Sequence, residues 1–214
     1  MPGICWAGKD EVCATLPGEY GANARQGSKT ERGLMIEDLR FPIGSFTMPA
    51  PELTAEQRLD GIQRLAGAPA KLRAAVRGLS REQLDTPYRP GGWTVCQVVH
   101  HVADSHMNAF IRTKLSLTED NPTIKPYRQA AWAELPDGRA TGIESSLTMI
   151  EGLHERWVIL LRSLAPADYA RTFIHPESGR QTIDRILALY SWHGAHHTGH
   201  ITALQSRNGW ESLA

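Results

Sequence analysis

The sequence is short of most features that would assign it to a class at once. It has no net charge, because 23 Lys and Arg residues balance 23 Asp and Glu. The cationic field on which general nucleic-acid and membrane-surface binders depend is therefore missing. Long apolar runs are absent too. Uninterrupted stretches stop at five residues, as in Trp157–Leu161, against the ~20 that a bilayer span requires. No basic stretch followed by an apolar block opens the chain, so a secretory signal is not expected. Cysteine is scarce: Cys5, Cys13 and Cys96 form an odd set without paired metal spacing, which suits a reducing compartment. Glycine-rich phosphate loops, internal repeats and low-complexity runs are missing as well. A cytoplasmic location is expected, with small-molecule partners and neither nucleic acid nor membrane. What is there suffices for a core, since 41% of the 214 residues are hydrophobic and 21% charged.

Residues 1–33 carry six glycines and two of the cysteines without helical or alternating apolar periodicity. Residues 1–34 are expected to be a disordered extension, or to precede the true start at Met35, and residues 35–214 to form the folded domain. Four long helical stretches follow, with very little strand. Thr54-x-x-Gln57, Thr94-x-x-Gln97 and Thr141-x-x-Glu144 are capping boxes ahead of apolar-periodic runs, and Ser80-x-x-Gln83 caps a shorter turn. Thr182 or its neighbour opens the fourth helix, which Asn208-Gly209 ends. In the first, Leu59, Ile62, Leu65, Leu72, Val76 and Leu79 recur at helical spacing, and Pro69 is expected to kink or break it. Residues 118–140 and 165–181 make long, proline-bearing connections, expected as lids or crossovers. The pattern predicts an all-α bundle of four helices with long crossover loops, in which ligands and metals sit among facing helices.

One residue is unusually concentrated. Of nine histidines, seven fall within residues 100–106 and 193–200. On the fourth helix His193, His197 and His200 lie within about 60° of one another, on the face shared by Ile186, Leu189, Tyr190, Ile201 and Leu204. His196 lies at the edge of that stripe. His193 and His197, one turn apart, can reach a single ion at ~2.0–2.1 Å. The His-Glu-x-x-His protease motif is excluded, because Gly194 stands where the general base would be. On the second helix Val95, Val98, Val99, Val102 and Ala109 define the inward face, with His106 near it, His101 at its margin and His100 on the far side. Either His101 or His106 is the natural third ligand. Several buried imidazoles are costly unless each finds a partner, and one cation satisfies them together. Cys96 reads as a buried small hydrophobe. Trp93 reads as a staple ahead of the Thr94 cap, Trp157, Trp192 and Trp210 as core or dimer packing, and His154 as a surface residue. His175 either reaches the site or bonds within its own turn.

These residues also carry a resemblance. Pro90-Gly91-Gly92-Trp93-Thr94 leading into Val98-Val99-His100-His101-Val102-Ala103-Asp104-Ser105-His106-Met107-Asn108, with the later Trp192-His193-Gly194-Ala195-His196-His197, resembles the DinB-like superfamily. Arg40-Phe41-Pro42-Ile43-Gly44, Leu117-Thr118-Glu119-Asp120, Pro122-Thr123-Ile124-Lys125-Pro126-Tyr127 and His175-Pro176-Glu177-Ser178-Gly179 are similar to its YfiT group of metal-dependent hydrolases, relatives of the bacillithiol S-transferases. The resemblance spans roughly residues 38–205. It implies a four-helix bundle, usually a homodimer, with one divalent ion (zinc or nickel) on three histidines. Carried over, these are His101, His193 and His197, so the resemblance decides for His101 where periodicity left His106 open.

Three functions follow as expectations. In the first, a hydrolase, the ion activates water, although no carboxylate stands on the histidine stripe to act as base. Asp104 and Glu151 lack a clear inward face, and Glu119, Asp120 and Glu134 belong to the loop. In the second, a thiol S-transferase, a low-molecular-weight thiol such as bacillithiol replaces the water and is conjugated to an electrophile for detoxification. The third is a non-catalytic metal-binding bundle. Asn108, Tyr127, Trp132 and His200 are the expected substrate-binding residues.

Overall fold

A computed structural model describes residues 39–139 and 142–210. The expected extension over residues 1–34 and the Thr141 cap lie outside them. Four long helices dominate: α1 (Ala55–Val76), α3 (Val95–Thr118), α5 (Glu144–Arg162) and α6 (Ile183–Asn208), with short helices α2 (Arg81–Leu84) and α4 (Gln129–Ala133) between them. A 3-10 turn (Pro166–Ala170) leads into an antiparallel hairpin of β1 (Thr172–His175) and β2 (Gly179–Thr182).

The helix starts follow from local chemistry. Thr54, Ser80 and Thr94 each accept from the backbone N–H three residues on, while Gln57, Gln83 and Gln97 reach back to the cap N–H. Each such cap contributes ~1 kcal/mol. Thr182 caps α6, and Gly209 ends it at φ 63°, a left-handed conformation that glycine adopts without strain. The start of α5 differs: its cap position is Ile143, without a side-chain hydrogen bond. α1 also runs unbroken through Pro69, so the break expected as one of two outcomes does not occur; the carbonyl that proline leaves free is bonded elsewhere. Leu59, the first of the residues recurring at helical spacing, is exposed.

Contacts between helices give their directions. Gly61 meets Leu187 and Gly194 meets Ala68, so α1 and α6 run parallel; a Cβ at Gly194 would lie 3.2 Å from that of Ala68. His100 bonds Ser146 and His106 bonds His154, so α3 and α5 are parallel to each other. Leu65 meets His154 while Arg73 pairs with Glu144 and Glu151, so α1 and α5 are antiparallel. Because α3 and α5 point the same way, the chain between them must travel back along the bundle, which accounts for the long connection after Thr118. That crossover is pinned to the hairpin through Ile124 N to Ile174 O (3.0 Å) and Ile174 N to Pro122 O (2.8 Å).

The core is divided in two. One apolar cluster holds Leu65, Phe110, Trp157 and Tyr190, and the other Leu72, Val102, Ile150 and Ile201. The interval between clusters falls at the same height on all four helices. Six of the seven clustered histidines and His154 occupy or border that layer, while His100 lies alongside the second cluster and bonds Ser146.

Candidate metal centre

His101 of α3 and His193 and His197 of α6 meet in this layer, with one ring nitrogen from each lying within 4.8 Å of the others. It is the one such group of three or more His, Cys, Asp or Glu among the described residues. All three are buried. The i, i+4 spacing brings His193 and His197 edge to face with ring centroids 4.5 Å apart, and the His101 ring stands 5.4 and 4.8 Å from them. Trp93 packs on His101 with ring centroids 4.6 Å apart, so the residue expected to staple the helix also borders the site.

The donor set fits a divalent ion. Neither nitrogen of His197 has a hydrogen-bond partner, although the ring is buried. An unsatisfied buried polar group costs about 1–3 kcal/mol, and coordination is the bond that such a nitrogen lacks. Burial, the leading cause, pushes the His101 pKa down to about 3 and holds His193 and His197 well below the ordinary imidazole value, with neighbouring histidines acting in the same direction. All three are therefore neutral near pH 7, the form in which imidazole binds a metal.

The other histidines sort themselves around this group. His106 lies behind His193, its Nε2 3.1 Å from His193 Nδ1 and its Nδ1 2.8 Å from His154 Nε2. His154 is 1% exposed rather than on the surface, and its Nδ1 donates to Leu65 O at 2.6 Å. The signal for it was available, since position 154 is four after Ile150 and three before Trp157, both core residues. His100, expected on the far side, is buried against α5 and bonds Ser146 Oγ at 2.7 Å. His196, placed at the stripe's edge, is fully buried, stacked on Trp192 at 4.3 Å and without a hydrogen bond at either nitrogen. His200 donates from Nε2 to Arg40 O at 3.2 Å and stacks on Tyr88 at 4.0 Å. His175 bonds within its own turn, accepting from Glu177 N.

Of the remaining expected residues, Asn108 turns its amide back to Asp104 O at 2.9 Å within α3. Tyr127 Oη is buried and faces Ser105, and its ring lies 4.6 Å from that of Trp132. Burial raises the Tyr127 pKa, and Tyr190 and Asp104 nearby act in the same direction, so the phenol stays protonated. Ser105, one turn after His101, bonds Tyr190 Oη at 3.5 Å. Cys96 is buried, with its thiol pKa pushed up to about 11. No carboxylate joins the three histidines among the described residues. Glu151 is occupied by Arg73, and Glu134 by Arg139 and Gln97.

Known proteins share this arrangement of sequence and fold. Residues 64–201 match the DinB superfamily. A Bacillus mycoides (strain KBAB4) protein named "putative metal-dependent hydrolase" is 54% identical over 175 residues, covering 82% of this chain and 100% of its own. A Bacillus cereus (strain 03BB102) protein of the same name has the same identity and coverage. Among solved structures, YfiT from Bacillus subtilis, described as "a probable metal-dependent hydrolase with an unusual four-helix bundle topology", matches with a TM-score of 0.79 and 48% identity. That match covers 81% of this chain and 99% of the other.

Proposed function

The chain belongs to the DinB superfamily, and from that premise we propose that it is a metal-dependent hydrolase in which His101, His193 and His197 hold one divalent ion, zinc or nickel. The observation that carries the reading is the convergence of three buried imidazoles, with both His197 nitrogens free of hydrogen bonds. When bound, such an ion supplies Lewis acidity that polarises a scissile group and brings deprotonation of water into the neutral range. The protein's own residues do the rest. The three neutral rings offer lone pairs without first losing protons, Trp93 packs against His101, and Tyr127 Oη, beside Ser105, is a protonated phenol that can donate to a substrate oxygen.

One observation favours a second reading. Without a carboxylate beside the histidines there is no dedicated base among the described residues, and a thiol nucleophile needs one less than water does, because metal binding favours the thiolate. A low-molecular-weight thiol would then attack an electrophilic substrate. The homodimer implied by the family resemblance is part of the proposal and is read by sedimentation.

The test is metal content and competition titration of the untagged protein, followed by turnover of ester and amide panels with and without a chelator. One equivalent of ion and chelator-sensitive hydrolysis are expected. Binding of one thiol to the loaded protein, with no hydrolysis, decides for the transferase. A purified protein that neither carries nor takes up a divalent ion overturns both.

A further inference from the structure

Pro69 stands inside α1 and has no N–H, so the carbonyl four residues earlier, that of Leu65, has no helical donor. It accepts instead from His154 Nδ1, across the bundle on α5. This bond decides three tautomers in turn. A carbonyl oxygen only accepts, so His154 carries a proton on Nδ1. The ring is buried and neutral near pH 7, its pKa pushed down to about 4 chiefly by that burial, which leaves Nε2 as a bare acceptor. His106 Nδ1, 2.8 Å away, must therefore donate to it. His106 is fully buried with an imidazole partner at each ring nitrogen, so with its one proton on Nδ1 its Nε2 is bare in turn, and His193 Nδ1 at 3.1 Å must donate. His193 is left with its lone pair on Nε2.

We propose that Pro69, His154 and His106 are positioning residues: the carbonyl that Pro69 leaves open sets a run of three neutral imidazoles, and the run presents His193 Nε2, unprotonated, to the metal ion. The opposite tautomer of His193 would set two lone pairs against each other at His106 and point a proton at the ion. Metal ligands of this type are ordinarily held by a carboxylate or a carbonyl on the other ring nitrogen. Here the carbonyl acts at two removes, through a pair of histidines. The inference rests on the metal-centre reading above for what Nε2 does, and on the hydrogen bonds and burial of the rings for where the protons are.

The experiment separates these two parts. Long-range proton–nitrogen correlation spectra of the metal-free whole chain, labelled with nitrogen-15 in histidine, read which nitrogen of each ring is protonated. Nδ1 protonation of His154, His106 and His193 is expected, and an Nε2-protonated His193 overturns the proposal without any variant being made. In His154→Leu, the His106 and His193 signals are expected to lose the single tautomer, and the zinc Kd to rise ten- to a hundredfold. His154→Gln, whose amide can donate to Leu65 O and accept from His106, is expected to recover most of that loss. Pro69→Ala, which returns a competing N–H to α1, is expected to shift both readouts in the same direction by less. Unchanged zinc affinity and an unchanged His193 tautomer in a folded His154→Leu overturn the proposal. Three tautomers as stated, in a wild-type chain that binds no zinc, overturn the metal-centre reading and leave the tautomer run standing.

Discussion

Acidifying the metal-free protein is the perturbation whose size follows most directly from the structure. His101, His106, His154, His193, His196, His197 and His200 are all buried. Burial is the leading cause that holds each below 6.5: to about 3 for His101, about 4 for His154 and His200, about 2 for His196, and well below for the others. In the unfolded chain these groups titrate near 6.5. Between ~6.5 and ~4 the unfolded chain therefore binds protons that the folded one refuses, and stability falls as pH falls. Each group contributes ~1.4 kcal/mol per pH unit well below 6.5, so seven together set a limiting slope of about 10 kcal/mol per unit. One unit below 6.5 the loss is already on the order of 10 kcal/mol, comparable with the 5–15 kcal/mol that holds an ordinary domain together.

The metal-free protein is thus expected to unfold cooperatively between about pH 6 and 5. Far-UV circular dichroism against pH, after chelation, gives the midpoint. Urea unfolding at pH 7.5, 6.5 and 5.5 gives the slope. A bound ion favours the folded state and should move the midpoint to lower pH. A loss smaller than ~2 kcal/mol between pH 7.5 and 5.5 would correspond to one or two protons rather than seven, and would refute the picture of a dry, neutral histidine layer.

Alanine at His101, His193 or His197 should abolish stoichiometric metal while leaving helical dichroism intact, and full occupancy in His197→Ala would exclude it as a ligand. His100→Ala should keep the ion and cost about 1 kcal/mol for the lost Ser146 bond; loss of metal there would exchange the roles of His100 and His101. Arg58 pairs with Asp184 at 2.8 Å, and that buried carboxylate also accepts from Leu53 N at 3.0 Å. Arg58→Ala therefore strands a buried charge, and urea unfolding should show a loss of about 3 kcal/mol. Gly194→Val places side-chain atoms where Ala68 Cβ already lies 3.2 Å from an added Cβ, and should cost about 2 kcal/mol by the same assay; an unchanged urea midpoint would mean that α1 and α6 separate freely.

The parts of this structure that were legible in the sequence are those decided within one helix. Thr54, Thr94, Thr182 and Gly209 mark their helix ends because a cap is satisfied by residues three or four positions away. The shared face of His193 and His197 follows from the same periodicity. What could not be read depends on how helices are staggered against one another. His101 and His106 both approach the inward face, and only the axial offset between α3 and α6 puts one beside His197 and the other behind His193. The burial of His154 follows from its spacing to Ile150 and Trp157, but its bonding does not. Its partners are a histidine on α3 and a backbone carbonyl on α1, and no spacing along α5 announces either. The unbroken helix through Pro69 belongs with it, since the cost of the missing N–H depends on whether another donor reaches Leu65 O.

The histidine layer has two unequal halves. On the α5 side, His154, His106 and His193 are joined to one another and anchored on a carbonyl. On the other side, His196 and His197 have no hydrogen bond at any nitrogen, and His200 uses only Nε2, on the carbonyl of Arg40. An ion held as proposed on His101, His193 and His197 would add a bond to His197 in the second half without breaking any in the first. Removing it should therefore be felt unequally. Native-state hydrogen exchange with and without zinc should show protection of the amides around His106 and His154 nearly unchanged, since their bonding does not depend on the ion. Protection should fall around His197 to His200, where orphaned nitrogens would be relieved by local opening to water. The segment at Arg40 should follow, because His200 holds it to α6. Uniform loss across both halves would mean that the ion, and not the bonded run of histidines, orders the layer.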